Sequence, residues 1–478
     1  MSDPLKLLAV LALVVLGTRA SAWGDEAPKG GSKVFPYPFH ITTLDNGLKV
    51  VAVPFDSPGL VAYWTVVRAG SRNEIEPGKS GFAHFFEHMM FRGTEAYPQA
   101  KYNAILKELG ADHNAFTTDD YTAYHVLAPA SGLETIMTLE SDRFLNLKYS
   151  VEGFKKEAGA VLGEYNKNAS NPFQALNEKI RDTAFVAHTY KHTTIGFLRD
   201  VEDMPNQYEY SLQFFSRYYR PENCTLLVIG DVDPKRLVDL ARKYYGAWKR
   251  GTYQVTIPAE PPQTEEKQAE VDWPNPTLPY LHMGYHGPAF SDTQVDLPTL
   301  DLISQLLFSE AAPLYQKLAV EEQVVDILVG GAQDHRDPYL FEITARVKDQ
   351  EKIAYVESTI SAALEDLKTT PIAADRLGKV KSYMKYSFAM GLDTSVSAAR
   401  SLAHFIALTT DPEAVNRVYA TYDRVTPEDV SAVARKYFVR TGRTVVTLSH
   451  KDAAAAPPAA GGGSASAGAH AAGSATAR

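Results

Sequence analysis

Three side chains in one short segment, Gly81–Thr94 (GFAHFFEHMMFRGT), have the types and spacing that hydrolytic chemistry needs. His84 and His88 are four residues apart. On a helix they share a face one turn apart, so both can offer an imidazole nitrogen to one Zn²⁺. Glu87 lies three residues from His84 and beside His88, at the edge of that face. The order H-x-x-E-H inverts the H-E-x-x-H zinc motif. Zn²⁺ on three protein ligands keeps a position for water and lowers its pKa to about 7, and a neighbouring carboxylate then takes the proton. The chain has one cysteine, Cys224, which excludes an intrachain disulfide framework and any multi-cysteine zinc or iron–sulfur site. A metal must be held by His, Asp and Glu.

A third ligand has to come from elsewhere. The segment Val151–Asn168 (VEGFKKEAGAVLGEYNKN) has helical periodicity, with Phe154, Ala158, Val161, Leu162 and Tyr165 forming an apolar stripe. Glu157 and Glu164 are two turns apart and both touch that stripe. Carboxylates there are costly unless paired or metal-bound. Glu164 is the candidate third ligand and Glu157 the candidate to orient a ligand histidine. On these residues alone, snorkelling of both carboxylates to solvent stays open.

The elements that must position these groups read as α+β. Leu48–Pro54, Val61–Arg68 and Asp120–Leu127 are β-rich, and long amphipathic helices follow them, which implies mainly antiparallel sheet. Gly251–Asp272, rich in Pro, Glu and Gln, is expected to be a linker between two similar halves, 35–250 and 273–450. A weak repeat supports the division. Residues 212–230 and 431–449 both read as helix, turn and strand, with Tyr218 matching Tyr437 and Thr225 matching Thr444.

With its flanking residues, GFAHFFEHMMFRGT resembles the signature of the pitrilysin/insulinase family of inverted zinc peptidases, which includes mitochondrial processing peptidase. The resemblance covers roughly residues 35 to 450 and implies two homologous lobes, each a mainly antiparallel sheet covered by helices. It implies Zn²⁺ on His84, His88 and Glu164, with Glu87 as general base and then as acid toward the leaving amine. Glu157 matches a further family glutamate one heptad before the ligand. Asn114, Ala115 and Phe116 resemble the family's edge strand, where substrate backbone joins a sheet. The implied substrates are peptides or unfolded segments, enclosed between clam-like halves. Active members carry an Arg and a Tyr in the second half. Ala319 and Asp326 stand at those places here, and neither can donate the required hydrogen bond at neutral pH. The second half also has no H-x-x-E-H. The chain is therefore expected to be the zinc-bearing subunit of a heterodimer whose homologous partner supplies the Arg/Tyr pair. The alternative is a non-catalytic structural protein of the same fold, like the core subunits of a respiratory complex.

Composition sets further bounds. Lys+Arg total 48 and Asp+Glu 57 over 478 residues, a net charge of −9, which disfavours a nucleic-acid partner. Residues 1–22 read as a signal peptide: Lys6, an apolar run from Leu7 to Leu16, then Ala20-Ser21-Ala22. Cleavage near Ala22 and a periplasmic or secreted location are expected, with no transmembrane span in the mature chain. Residues 453–478 hold no large apolar side chain and read as a disordered tail. The remaining histidines are read as structural. His113 and His125 belong to strands, His188 and His192 to a loop, and His282 and His286 sit too far apart along a strand to share a metal. Glu265 and Glu266 read as solvated linker.

Overall fold

β-Branched and aromatic runs build two sheets in the computed structural model, which describes residues 33–450. The expected leader at 1–22 and tail at 453–478 lie outside the described residues. The first sheet is ordered β1 (His40–Thr43), β2 (Lys49–Pro54), β6 (Cys224–Gly230), β3 (Leu60–Val67), β5 (Thr122–Pro129), β4 (Asp112–Thr117). The second is ordered β7 (Lys267–Trp273), β11 (Arg443–His450), β8 (Tyr280–His286), β10 (Leu340–Val347), β9 (Val325–Ala332). Within each, one neighbouring pair is parallel (β2 with β6, β7 with β11) and the rest are antiparallel. Apart from β1 the two orders are the same, so the lobes are two copies of one α+β plan. The repeat falls on equivalent places: Thr225 pairs with Lys49 across the first parallel pair, and Thr444 with Lys267 across the second. The continuous apolar runs of β3 and β6 follow from burial on both sheet faces.

Two expectations need correction. The linker ends at residue 266, because 267–272 form most of β7, the outermost strand of the second sheet. Its polar, alternating sequence (KQAEVDW) suits a strand with one covered face and reads as linker only when the partner strand is unknown. Glu266 is not a solvated charge either. Its Oε2 accepts from Arg443 Nη2 at 2.6 Å and from Arg440 Nε at 3.1 Å.

The lobes exchange helices. Helix Pro172–Ala184, which follows helix Val151–Asn168 of the first lobe, packs on β7, β8 and β11 of the second sheet. Its Leu176, Ile180 and Ala184 join Trp273, Tyr280, Val446 and Leu448 in one apolar cluster. Reciprocally, helix Ser395–Thr409 packs on β3 and β6, burying Leu402 and Ile406 among residues that include Trp64 and Ile229. Each exchanged helix starts at a sequence-coded cap: Asn171 accepts from Phe173 N with Pro172 at the first helical position, and Thr394 accepts from Ser397 N.

Beside the exchange runs a polar seam. The buried Asp119 carboxylate accepts from Arg181 Nη1 at 2.9 Å and Nη2 at 3.0 Å, from Ser71 Oγ at 2.7 Å, and faces His335 Nε2 at 3.0 Å. Burial alone would push Asp119 up; the Arg181 guanidinium and His335 more than offset it and hold it well below the usual carboxylate range. Burial lowers His335, and Asp119 more than reverses this, so its pKa is raised. Asp119 therefore adds stability above about pH 4 that is lost as pH falls through its folded value, whereas His335 adds stability below about pH 6.5 that is lost as pH rises. Urea midpoints measured against pH should peak between those limits. Asp119→Asn leaves the buried Arg181 charge unpaired and should cost about 3–5 kcal/mol in urea unfolding; a loss below 1 kcal/mol would show that the seam holds little.

Candidate metal centre

The H-x-x-E-H segment is helical from Phe82 to Met89. Its N-cap, Gly81, has φ 96°, and a Cβ there would lie 2.6 Å from the Ile195 carbonyl oxygen. The buried Glu74 carboxylate accepts from Gly81 N and Ala83 N, each at 2.7 Å, satisfying two of the amides a helix start leaves without partners. Burial pushes Glu74 well above the usual carboxylate range, and the two amides oppose that. Phe82, Phe85, Phe86 and Met89 enter the first lobe's core, which turns His84, Glu87 and His88 to the opposite side.

Facing them is helix Val151–Asn168, capped by Ser150, with Phe154, Ala158, Val161 and Tyr165 buried. It carries both glutamates inward. Ligand atoms of His84, His88 and Glu164 all lie within 4.8 Å of one another, the one such group among the described residues. Glu164 Oε2 is 3.3 Å from His88 Nε2 and 3.7 Å from His84 Nε2. Glu157 is buried, and its Oε1 lies 3.0 Å from His88 Nδ1. A carboxylate can only accept here, so Nδ1 carries the proton and Nε2 is left for the centre. The other oxygen of Glu157 accepts from Arg92 Nε. Two imidazole nitrogens, one carboxylate oxygen and a carboxylate behind one imidazole form a donor set that fits Zn²⁺.

The electrostatics divide the pair. Burial pushes His84 down to about 4, so its ring is neutral and ready to donate a lone pair. Hydrogen bonds to Glu157 at Nδ1 and Glu164 at Nε2 push His88 up to about 9, so a cation held here would displace the Nε2 proton while Glu157 keeps the one on Nδ1. The same bond to His88 lowers Glu164. Burial raises Glu87, the direction a general base needs.

Glu87 is held from the adjoining edge strand, where Thr117 Oγ1 donates to its Oε2 at 2.6 Å. Alternation along β4 sends Ala115 and Thr117 toward the motif helix and Asn114 and Phe116 to the other face. Ala115 is buried. Phe116 packs edge-on to Trp64 beneath the Arg400 guanidinium of the exchanged helix. Asn114 is exposed, and its Oδ1 accepts from Ala115 N at 2.9 Å. Of these three residues, only the outer backbone edge and the Asn114 side chain face a possible ligand. Arg92 and Thr117 hold the two working glutamates, and the motif alone assigns neither a role. Arg92 stands four residues beyond His88 and Thr117 two beyond Ala115, so periodicity alone could have placed both.

The other histidines have structural partners. His188 Nε2 faces Asp337 at 2.9 Å, and His125 stacks on Trp64. In the second lobe, Ala319 lies in a π-helical turn, Gln316–Glu321. Asp326 sits at a bulge in β9 and takes both ends of Arg346, at 2.8 and 2.6 Å. Between them Gln323 has φ 53°, a left-handed conformation that costs a side-chain-bearing residue of order 1 kcal/mol.

Removing Glu157 strips His88 Nδ1 of its acceptor and Arg92 of its carboxylate. Glu157→Ala should weaken Zn²⁺ binding by about 10–100-fold in competition with a chromophoric chelator; unchanged affinity would mean that Glu157 does not set the His88 ring.

The insulinase (peptidase family M16) profile matches residues 50–196, and the peptidase M16 inactive-domain profile matches residues 207–384. Zinc protease PqqE of Helicobacter pylori is 29% identical over 413 residues, 85% of this chain and 91% of PqqE. Subunit 1 of the mitochondrial cytochrome b-c1 complex of Bos taurus is 28% identical over 214 residues, 45% of this chain and 43% of the subunit. A protease structure from Helicobacter pylori aligns with a TM-score of 0.80 at 28% identity, covering 86% of this chain and 99% of that one. The periplasmic protease PqqL from Escherichia coli shares the fold, with a TM-score of 0.72 at 18% identity over 86% of this chain and 48% of PqqL. With its motif helix, its duplicated lobes and these matches across both, the chain belongs to the insulinase family, peptidase family M16.

Proposed function

We propose that this chain is an exported zinc-dependent endopeptidase acting on peptides or unfolded segments. The observation that carries the reading is the convergence of His84, His88 and Glu164 on one point, with Glu87 tethered beside it to an open sheet edge. His84, His88 and Glu164 would hold the metal, and Glu157, braced by Arg92, would orient His88. When bound, Zn²⁺ supplies Lewis acidity, which lowers the pKa of water toward 7.

The protein's own groups do the rest. An extended substrate adds to the free side of β4, which pairs only with β5 among the described strands. To let it do so, the Asn114 side chain must release the Ala115 amide. Glu87, raised by burial, takes the proton of the attacking water and hands it to the leaving amine. The Thr117 hydroxyl occupies one Glu87 oxygen and so directs the other toward the substrate. Ala319 and the Arg346-bound Asp326 offer no hydrogen bond to a developing oxyanion. We assign those donors to a homologous partner subunit, with the substrate enclosed between the two.

The apolar leader and the small-residue motif ending at Ala22 support export to a periplasm, and the periplasmic location of the similar PqqL is consistent with it. No helix among the described residues is long and apolar enough to cross a membrane. A second reading, a non-catalytic structural subunit, is favoured by Ala319 and Asp326 and by the likeness to the cytochrome b-c1 subunit.

Three measurements separate these readings. Glu87→Gln should keep its zinc, by elemental analysis, and lose peptide hydrolysis; cleavage at the wild-type rate would remove Glu87 from the mechanism. Thr117→Val should lower kcat about tenfold or more with zinc retained and KM little changed, and Thr117→Ser should restore it. Activity that appears only after mixing with a homologue carrying the Arg/Tyr pair supports the two-subunit site. Zinc-free, inactive protein both alone and with that partner supports the structural reading.

A further inference from the structure

A cavity of about 680 Å³ opens where the segment after Gly251 crosses between the lobes, and it shares no residue with the metal centre. Four arginines line it: Arg68, Arg72 and Arg220 from the first lobe and Arg336 from the second. Their partners do not balance their charge. Arg72 donates to Asp337 Oδ2 at 2.5 Å, and His188 shares that carboxylate. Arg220 lies 3.3 Å from Glu222 Oε1, yet its buried Nε and Nη1 make no hydrogen bond. Arg68 donates only to the neutral carbonyls of Ala407 and Leu408, at 2.7 and 3.3 Å.

Arg336 is the telling residue. Its backbone N donates to Asp120, but its half-buried guanidinium has no hydrogen bond or ion pair among the described residues. The third carboxylate in the wall, Glu260, is consumed by the backbone amides of Val186, Ala187 and His188, at 2.8, 2.9 and 2.8 Å. Two guanidiniums from different lobes thus face one space with no carboxylate bonded to either among the described residues; Asp120, which accepts from Tyr190 and from the Arg336 amide and lies 3.8 Å from Arg72 Nε, attracts both without pairing with either guanidinium. Burial, with the Arg336 and Arg72 charges, lowers Arg68 to about 10, and burial with the Arg72 charge lowers Arg336, in each case against the pull of Asp120. Like charges held together in a half-closed cavity carry an unmet electrostatic cost, which an anion removes.

We infer that this cavity is a binding site for a phosphate-class oxyanion, free or carried as a phosphomonoester, bridging Arg68 and Arg336 and so tying the second lobe to the first. The guanidinium fork matches phosphate oxygens in pairs, which a halide cannot exploit. The inference is independent of the peptidase reading, because no residue of the cavity touches the metal centre.

The test uses the full-length chain and titration calorimetry with inorganic phosphate and with glycerol phosphate, against sodium chloride at matched ionic strength. Phosphate should bind the wild type and chloride should not. Arg336→Gln should bind phosphate about tenfold more weakly or worse, and Arg336→Lys should fall between. Without phosphate, Arg336→Gln should melt at or above the wild-type temperature, since it loses a repelling neighbour and no bond. Tighter glycerol phosphate points to an organic phosphate and tighter inorganic phosphate to the free ion; either supports the site. Without any variant, phosphate should slow modification of Arg336 by phenylglyoxal, read by peptide mass spectrometry. Equal phosphate affinity in wild type and Arg336→Gln, chloride binding as well as phosphate, or unprotected Arg336 would each overturn the inference.

Discussion

The grip of the Asp119 carboxylate on Arg181, Ser71 and His335 sets the frame for everything at the metal centre. Asp119 lies two residues past Thr117, so fixing it fixes the end of the edge strand that steadies Glu87. Ser71 opens the turn that leads to Glu74, and Glu74 caps the helix bearing the two histidines. Arg181 rides on the exchanged helix and His335 on the second lobe. One buried ion pair with its neighbours thus orders both walls of the site against the second lobe. A buried ion pair is weak grounds for net stability. Its value here is geometric, because a carboxylate with so many fixed donors permits few arrangements.

The chemistry was legible in the sequence because it is local. Helical spacing alone puts His84 and His88 on one face, and the two-turn spacing puts Glu157 and Glu164 on another. Whether those faces meet is a tertiary fact, since the apolar stripe that carries the glutamates also suits a helix whose carboxylates reach solvent. The duplication was legible at the helix–turn–strand units, where Thr225 and Thr444 mark equivalent registers. The parallel partners of those strands were not, because β7 is an edge strand of polar, alternating sequence. Glu266 looked solvated for the same reason: its partners, Arg440 and Arg443, lie far along the chain. The helix exchange left no trace in periodicity, which reports that a face is apolar and not whose sheet it covers.

The second lobe shows what the plan becomes when its chemistry is released. Its helix Asp296–Phe308 (DLPTLDLISQLLF) has no histidine and buries nine of its thirteen residues, where the corresponding helix of the first lobe presents two imidazoles and a carboxylate. At Ala319 and Asp326 the small methyl and the carboxylate tied to Arg346 leave β9 with structural duties only. Gln323, held in a left-handed conformation, shows that the backbone kept a turn better suited to glycine.

The helix exchange also governs when the molecule can finish folding. Residues 172–184 close their apolar face only on a sheet that needs residues 443–450 between β7 and β8, and the face of β3 and β6 waits for residues 395–409. Contacts between segments so distant along the chain close slowly: the first lobe cannot be completed before residues 395–409 are made, nor the second before residues 443–450. A nascent chain of this design holds both apolar faces open until the covering segments, far along the sequence, have emerged.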